Sequence, residues 1–368
     1  MRSQTFLTLC IIFCALLGSS CNRLGLSART NNERLLEITR EYRTSHGASP
    51  DQIPFSITRD DEDDYFKLIQ KYVNQRNFPK LESEALNDRA TRTRFVGGVW
   101  KLNEFYLAAG KLRRGDPSTD ASWNALLTTL RVWVSAYPKS ATARIALAEA
   151  YVNYAWEGRG EASADETSEQ QGQALRERAQ TARSTLIEAA SLEEKCPYWY
   201  EAMQHVAHLQ GWKTSEAREL MEQAVLFEPH YYHFYREYAY FLEPRWYGTP
   251  GEAEAFAEEV STRLGEKEGT FIYFEIASLL TCQCNPEPGH MENLSWPKIM
   301  EGYQALDELY GVSSLKLNRY AHMALLAGDR DVARQAFLQI GDRWNPGAWD
   351  TKADFDQAKQ QTLNQSND

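Results

Sequence analysis

The feature that most constrains this chain is the stretch from Leu317 to Pro346, LNRYAHMALLAGDRDVARQAFLQIGDRWNP. Leu317, Tyr320, Ala321 and Ala324 recur at three- and four-residue steps, so they share one face of a helix. Gly328 and Asp329 then offer a C-terminal glycine and an N-cap for a second helix. On that second helix Ala333, Phe337 and Ile340 form another apolar stripe, and Pro346 ends it. One hairpin of this kind cannot bury both stripes by itself. It needs another on each side, so the stretch predicts an array of helix pairs.

The same register appears twice more. Leu126, Leu130, Trp133 and Pro138 are spaced by four, three and five residues, and so are Ala217, Met221, Ala224 and Pro229. Leu147-Ala148-x2-Tyr151 fits a first helix, and Ala182-x3-Leu186-x2-Ala189 fits a second. The polar, glycine-bearing segment 158–172 separates them as a surface insertion. Asp116-Pro117 and Thr249-Pro250-x-Glu252 read as helix starts, and the acidic run 60–64 complements the dipole of another. No strand pattern of any length is present. The spacing resembles the tetratricopeptide repeat, which implies an all-α fold, an α-solenoid of diverged antiparallel helix pairs. The run from Trp123 to Trp156, the Gly211-Trp212 pair, PRWYG at 244–248 and the closing stretch from Asn318 are also similar to a bacterial family of unknown function, of the domain-of-unknown-function 4034 type. That second resemblance implies a fold and no chemistry.

Outside the array the chain reads as an address. Residues 1–20 hold Arg2, the apolar run FLTLCIIFCALL and Gly18-Ser19-Ser20, the grammar of an export signal too short to span a bilayer. Cys21 follows, and the segment resembles a bacterial lipoprotein signal with Cys21 as the lipidated residue; plain secretion and a retained anchor are the other readings. The expected organisation is a signal peptide over 1–20, a flexible tether over 21–57, a helical-repeat domain over 58–350 and a C-terminal tail over 351–368. The expected location is therefore the cell envelope, lipid-anchored or periplasmic. Cys282 and Cys284 are too close for an easy mutual disulfide, so buried thiols or one optional bridge are expected. A formal charge of −11 argues against a nucleic-acid partner or an anionic lipid surface.

Two constellations could carry function. His205-x2-His208 and His230-x2-His233 each set two imidazoles on one helical face, which suits zinc or copper, yet no complete ligand set can be read. Buried polar–aromatic packing is the plainer reading of both pairs, and no cofactor is implied. The densest aromatic cluster runs from Tyr231 to Tyr247. Phe234, Tyr238 and Phe241 form its core stripe, which leaves Tyr231, Tyr232, Tyr235, Trp246 and Tyr247 as residues expected on a concave binding face. With no positioned nucleophile or base, the expectation is a non-catalytic scaffold for a peptide, protein segment or envelope polymer. The alternative is a metal-dependent or hydrolytic enzyme using the His205/His208/His230/His233 region.

Overall fold

The computed structural model describes residues 33–42, 55–59, 61–159, 169–282 and 289–364. The signal segment, Cys21 and most of the expected tether and insertion lie outside them. The chain divides into two units, 1–47 and 48–368. Of the first unit, helix α1 spans 33–42 and buries Leu35, Leu36 and Tyr42.

The second unit is helical almost throughout. Its one sheet pairs two residues with two, β1 (Ile57–Thr58) parallel to β2 (Arg94–Phe95). The protein is all-α: among the described residues 74% are in helix, in seventeen helices. No helix among them is long and apolar enough to cross a membrane.

The helices fall into two sets by what they touch. α4 (Lys101–Gly110), α6 (Ala141–Arg159), α8 (Tyr198–Gln210), α10 (His233–Phe241), α12 (Glu266–Leu280) and α15 (Ser314–Leu326) each pack on the next member of that set. Between them come α5 (Asp120–Ala136), α7 (Glu169–Ala190), α9 (Thr214–Phe227), α11 (Glu252–Leu264), α14 (Trp296–Tyr310) and α16 (Arg330–Ile340), each packed on at least one sequence neighbour in the first set. α2 (Glu62–Asn74) and α3 (Phe78–Thr91) precede α4, and the single-turn α13 (His290–Asn293) joins α12 to α14.

Burial follows that division. α9 buries one stripe, Ala217, Leu220, Met221 and Ala224, and leaves its other face wet. α8 buries eleven of its thirteen residues, as a helix covered on all sides must. The register residues Trp133, Ala224 and Phe337 have no accessible surface, as the hairpin argument requires. Gly302 marks how tightly pairs close, since a Cβ there would lie 2.1 Å from the Thr270 carbonyl oxygen of α12.

Several local expectations are corrected. α5 starts at Asp120 behind Thr119, whose hydroxyl accepts from Ser122 N, because the chain turns on at Asp116-Pro117 instead of entering a helix. On α5 the buried leucine of the first turn-pair is Leu127 and not Leu126. α11 begins at Glu252, and its carboxylate reaches back to the Thr249 amide at 2.9 Å while Gly251 takes the left-handed cap position. By contrast Asp329 caps α16 as read, its carboxylate accepting from Val332 N at 3.1 Å. The end of the chain forms a further helix, α17 (Lys352–Asn364), docked through Phe355 against Phe337 and Trp349. Cys282 is disulfide-bonded and Cys196 is a buried free thiol, so the partner of Cys282 lies outside the described residues.

Candidate functional site

Five helices of the first set each carry a single glutamate embedded in an apolar or aromatic run. These are Glu104 in LNEFYLAA, Glu149 in ALAEAYVNY, Glu201 in YWYEAMQHV, Glu237 in FYREYAYF and Glu275 in FIYFEIASLL. Leaving a carboxylate in such a run is expensive unless its partners are built in. The structure builds them in, and they connect one helix to the next.

His205 is the hub. Glu201 and His205 are four residues apart on α8 and so lie on one face. The His205 Nδ1 is 3.2 Å from Glu149 Oε2 of α6, and its Nε2 is 3.4 Å from Glu237 Oε2 of α10. Burial opposes protonation of this ring, but the charges of Glu149 and Glu237 outweigh it and hold the pKa well above the usual imidazole range. Glu201 accepts from Asn103 Nδ2 at 2.8 Å and from the Tyr231 hydroxyl at 2.6 Å. Burial nevertheless pushes its carboxyl up to about 8, with the nearby His205 charge acting the other way. Glu149 also accepts from Asn153 Nδ2 at 3.0 Å. It lies so close to Gly110 that a Cβ on that glycine would meet its Cγ at 2.7 Å.

Opposite charge gathers farther along the row. Glu275 has no accessible surface and its Oε2 accepts from Lys316 Nζ at 2.6 Å and Arg236 Nη1 at 3.3 Å. Burial brings Lys316 down to about 8 despite Glu275, and burial with the Arg236 charge brings Arg319 down to about 10. At the other end burial lifts Glu104 to about 8, reinforced by the charge of Glu62, and Glu104 donates a hydrogen bond to it. The row is therefore acidic around α2, α4, α6 and α8 and cationic around α15.

This row is not a sealed core. Glu237 keeps 29% of its side-chain surface, Arg236 18% and His205 16%. Burial is still the largest single influence on the ionisation of all three, although in Glu237 the His205 and Arg236 charges overcome it and lower the pKa. These side chains are thus desolvated yet keep some contact with solvent. Among the described residues, Glu201, His205 and Glu237 place their ligand atoms within 4.8 Å of one another.

The four histidines weighed as a metal set separate. His205 sits in the carboxylate row. His233 stacks on Tyr232 at 4.4 Å, its Nδ1 4.0 Å from Glu201 Oε1, and burial holds its pKa well below normal. His208 is enclosed by Trp156, Tyr240, Trp246 and Tyr247, and His230 meets Glu268 at 2.9 Å. His208 and His233 thus sit in aromatic packing, the plainer of the two readings, and His205 lies among carboxylates.

The aromatic expectation is also redrawn. Tyr231, Tyr232 and Tyr235 are at most 1% exposed, so they serve as packing instead of as an open face, and Tyr231 also donates to Glu201. Trp246 is half-buried against His208, and Tyr247 is 38% exposed, its hydroxyl donating to the His208 carbonyl. The sequence signal that finds the actual row is the lone glutamate repeated at equivalent places in five apolar helices. Comparison with protein-family models, with curated proteins and with solved structures returns no match for this chain.

Proposed function

We propose that the protein is a non-catalytic binding protein built as a tetratricopeptide-like α-solenoid, whose first-set helices form the inner, concave wall. The observation that carries the reading is the row of charged side chains contributed by successive first helices to one recess. A fold that needed only stability would fill these positions with apolar residues, because buried ion pairs are matched or exceeded by hydrophobic replacements of similar volume. Charges retained at that expense are best accounted for by a ligand that meets them.

The distribution of charge describes the ligand. An extended segment of protein or peptide would set a cationic group against Glu237 and carboxylates against Arg236 and Arg319, members of the row that keep accessible surface. Trp246 and Tyr247, at the turn after α10, would form the rim. The disulfide at Cys282 supports an oxidising compartment, in keeping with export and with a lipid on Cys21 holding the chain at a membrane.

The test is photocrosslinking in intact cells, with a benzophenone amino acid at position 237 in the recess or at 338 on the outer surface, where Leu338 is 64% exposed. A discrete adduct at 237 that disappears with Arg236→Gln, and none at 338, is expected. Adducts that do not differ between the two positions would overturn the reading.

A further inference from the structure

We propose that Glu201, His205 and Glu237 bind a divalent transition-metal ion, with Glu149 as the carboxylate that positions the imidazole. This goes beyond the binding function, although both use Glu237; metal binding by the isolated chain is measured without the protein ligand, so the two can fail separately.

The ligand set comes first. One imidazole nitrogen and two carboxylate oxygens lie within 4.8 Å of one another, and a shared ion would sit at roughly 2.0–2.2 Å from each. Mixed nitrogen and oxygen donors suit zinc, manganese or iron and disfavour the softer ions that thiolates select. Three protein ligands leave a coordination position free for solvent or for an atom entering through the recess.

The surroundings are those of a metal centre. A ligating histidine is characteristically fixed by a carboxylate on its other nitrogen. Here Glu149 lies 3.2 Å from Nδ1, while Nε2 faces Glu237. Glu201 is held by Asn103 and Tyr231, so its rotamer is set before any ion arrives.

Uncommitted polar atoms occur on residues adjoining this group. His233, whose Nδ1 is 4.0 Å from Glu201 Oε1, is 7% exposed, and its Nε2 has no hydrogen-bond partner among the described residues. The Oε1 of Gln204, beside His205 in sequence and equally buried, is also unpartnered among them. Uncommitted polar atoms this deep are rare in folded proteins and are satisfied by an ion, a ligand or water. Carboxylates of three helices meet at this one imidazole: Glu149 and Glu237 lie 3.2 and 3.4 Å from its two nitrogens, and Glu201 is one turn away on α8. The exposed carboxylates Asp61, Asp63 and Asp64 do not compete as a site, because Asp61 caps α2 and Asp63 and Asp64 pair with Lys67.

The experiment is equilibrium dialysis of the chelator-treated full chain against zinc chloride and, separately, manganese chloride, with bound metal measured by elemental mass spectrometry. One ion per chain is expected for at least one of the two metals. His205→Ala and Glu237→Gln should abolish it. Glu149→Gln, which leaves all three ligands in place, should weaken binding by about 10- to 100-fold. His230→Ala, whose side chain pairs with Glu268 and not with any of the three ligands, should bind as the unmodified chain does. Circular dichroism identifies any variant that fails to fold, and the isosteric Glu237→Gln then decides the question in place of His205→Ala. Absence of stoichiometric metal in the unmodified chain, or its retention in both His205→Ala and Glu237→Gln, overturns the proposal.

Discussion

Replacing Glu104 by glutamine should stabilise the protein, and by more at neutral than at acid pH. Glu104 is 9% exposed, and burial together with the neighbouring Glu62 raises its carboxyl from an ordinary 4.5 to about 8. The folded state thus holds a proton that the unfolded state has released between those two values. Stability from this group must therefore fall as pH rises from 4.5 toward 8. At pH 7 the unfolded carboxyl lies about 2.5 units above its pKa, and at 1.36 kcal/mol per unit the folded state gives up about 3 kcal/mol; at pH 5 the figure is about 1 kcal/mol. Glutamine keeps the shape and the hydrogen-bond donor to Glu62 without the titration. Urea unfolding of both proteins at pH 5 and pH 7 should show the advantage of Glu104→Gln growing by about 2 kcal/mol between them. Parallel stability profiles, or a variant weaker than the parent at pH 7, would refute the reasoning.

Other consequences are equally direct. Glu275→Gln strands Lys316 and Arg236 without their shared carboxylate and should destabilise by about 3–5 kcal/mol in chemical denaturation. Phe355→Ala removes the anchor of α17 and should lose about 3–5 kcal/mol, with early exchange of amide protons in 352–364; unchanged exchange there would show that the helix is held by something else. Gly110→Ala drives a methyl into Glu149 Cγ and should destabilise by about 1–3 kcal/mol, with a shift of the His205 imidazole resonances in NMR that a distant core mutation does not produce.

The helices were legible in the sequence because their signal is local. Stripes at three- and four-residue spacing placed Trp133, Ala224 and Phe337 in the interior, and Asp329 could be read as a cap because capping depends on neighbours within one turn. Helix starts near Pro117 and Pro250 were misplaced because a proline compatible with a first turn is equally at home in the turn before it. The site was harder. Nothing local distinguishes His205 from His208 or His230, since what separates them is whether Glu149 and Glu237 of other helices arrive. Aromatic residues misled in the opposite direction. Tyr231 and Tyr232 precede α10 and Tyr235 lies on it; because α10 is covered by α8, α9, α11 and α12, positions outside the stripe of Phe234, Tyr238 and Phe241 are buried too. Only the solitary glutamate in each apolar run gave notice, since a carboxylate placed there needs partners supplied by tertiary structure.

The account stands on the charged row lining a recess that solvent reaches, and thiol labelling measures this most directly. Under native conditions a cysteine at position 237 should react with a small maleimide within about tenfold of the rate at the outer position 338, whereas one at 224, in the core, should react only through unfolding. If Glu237→Cys is as slow as Ala224→Cys, the row is sealed structural packing and the binding function has no recess to act through.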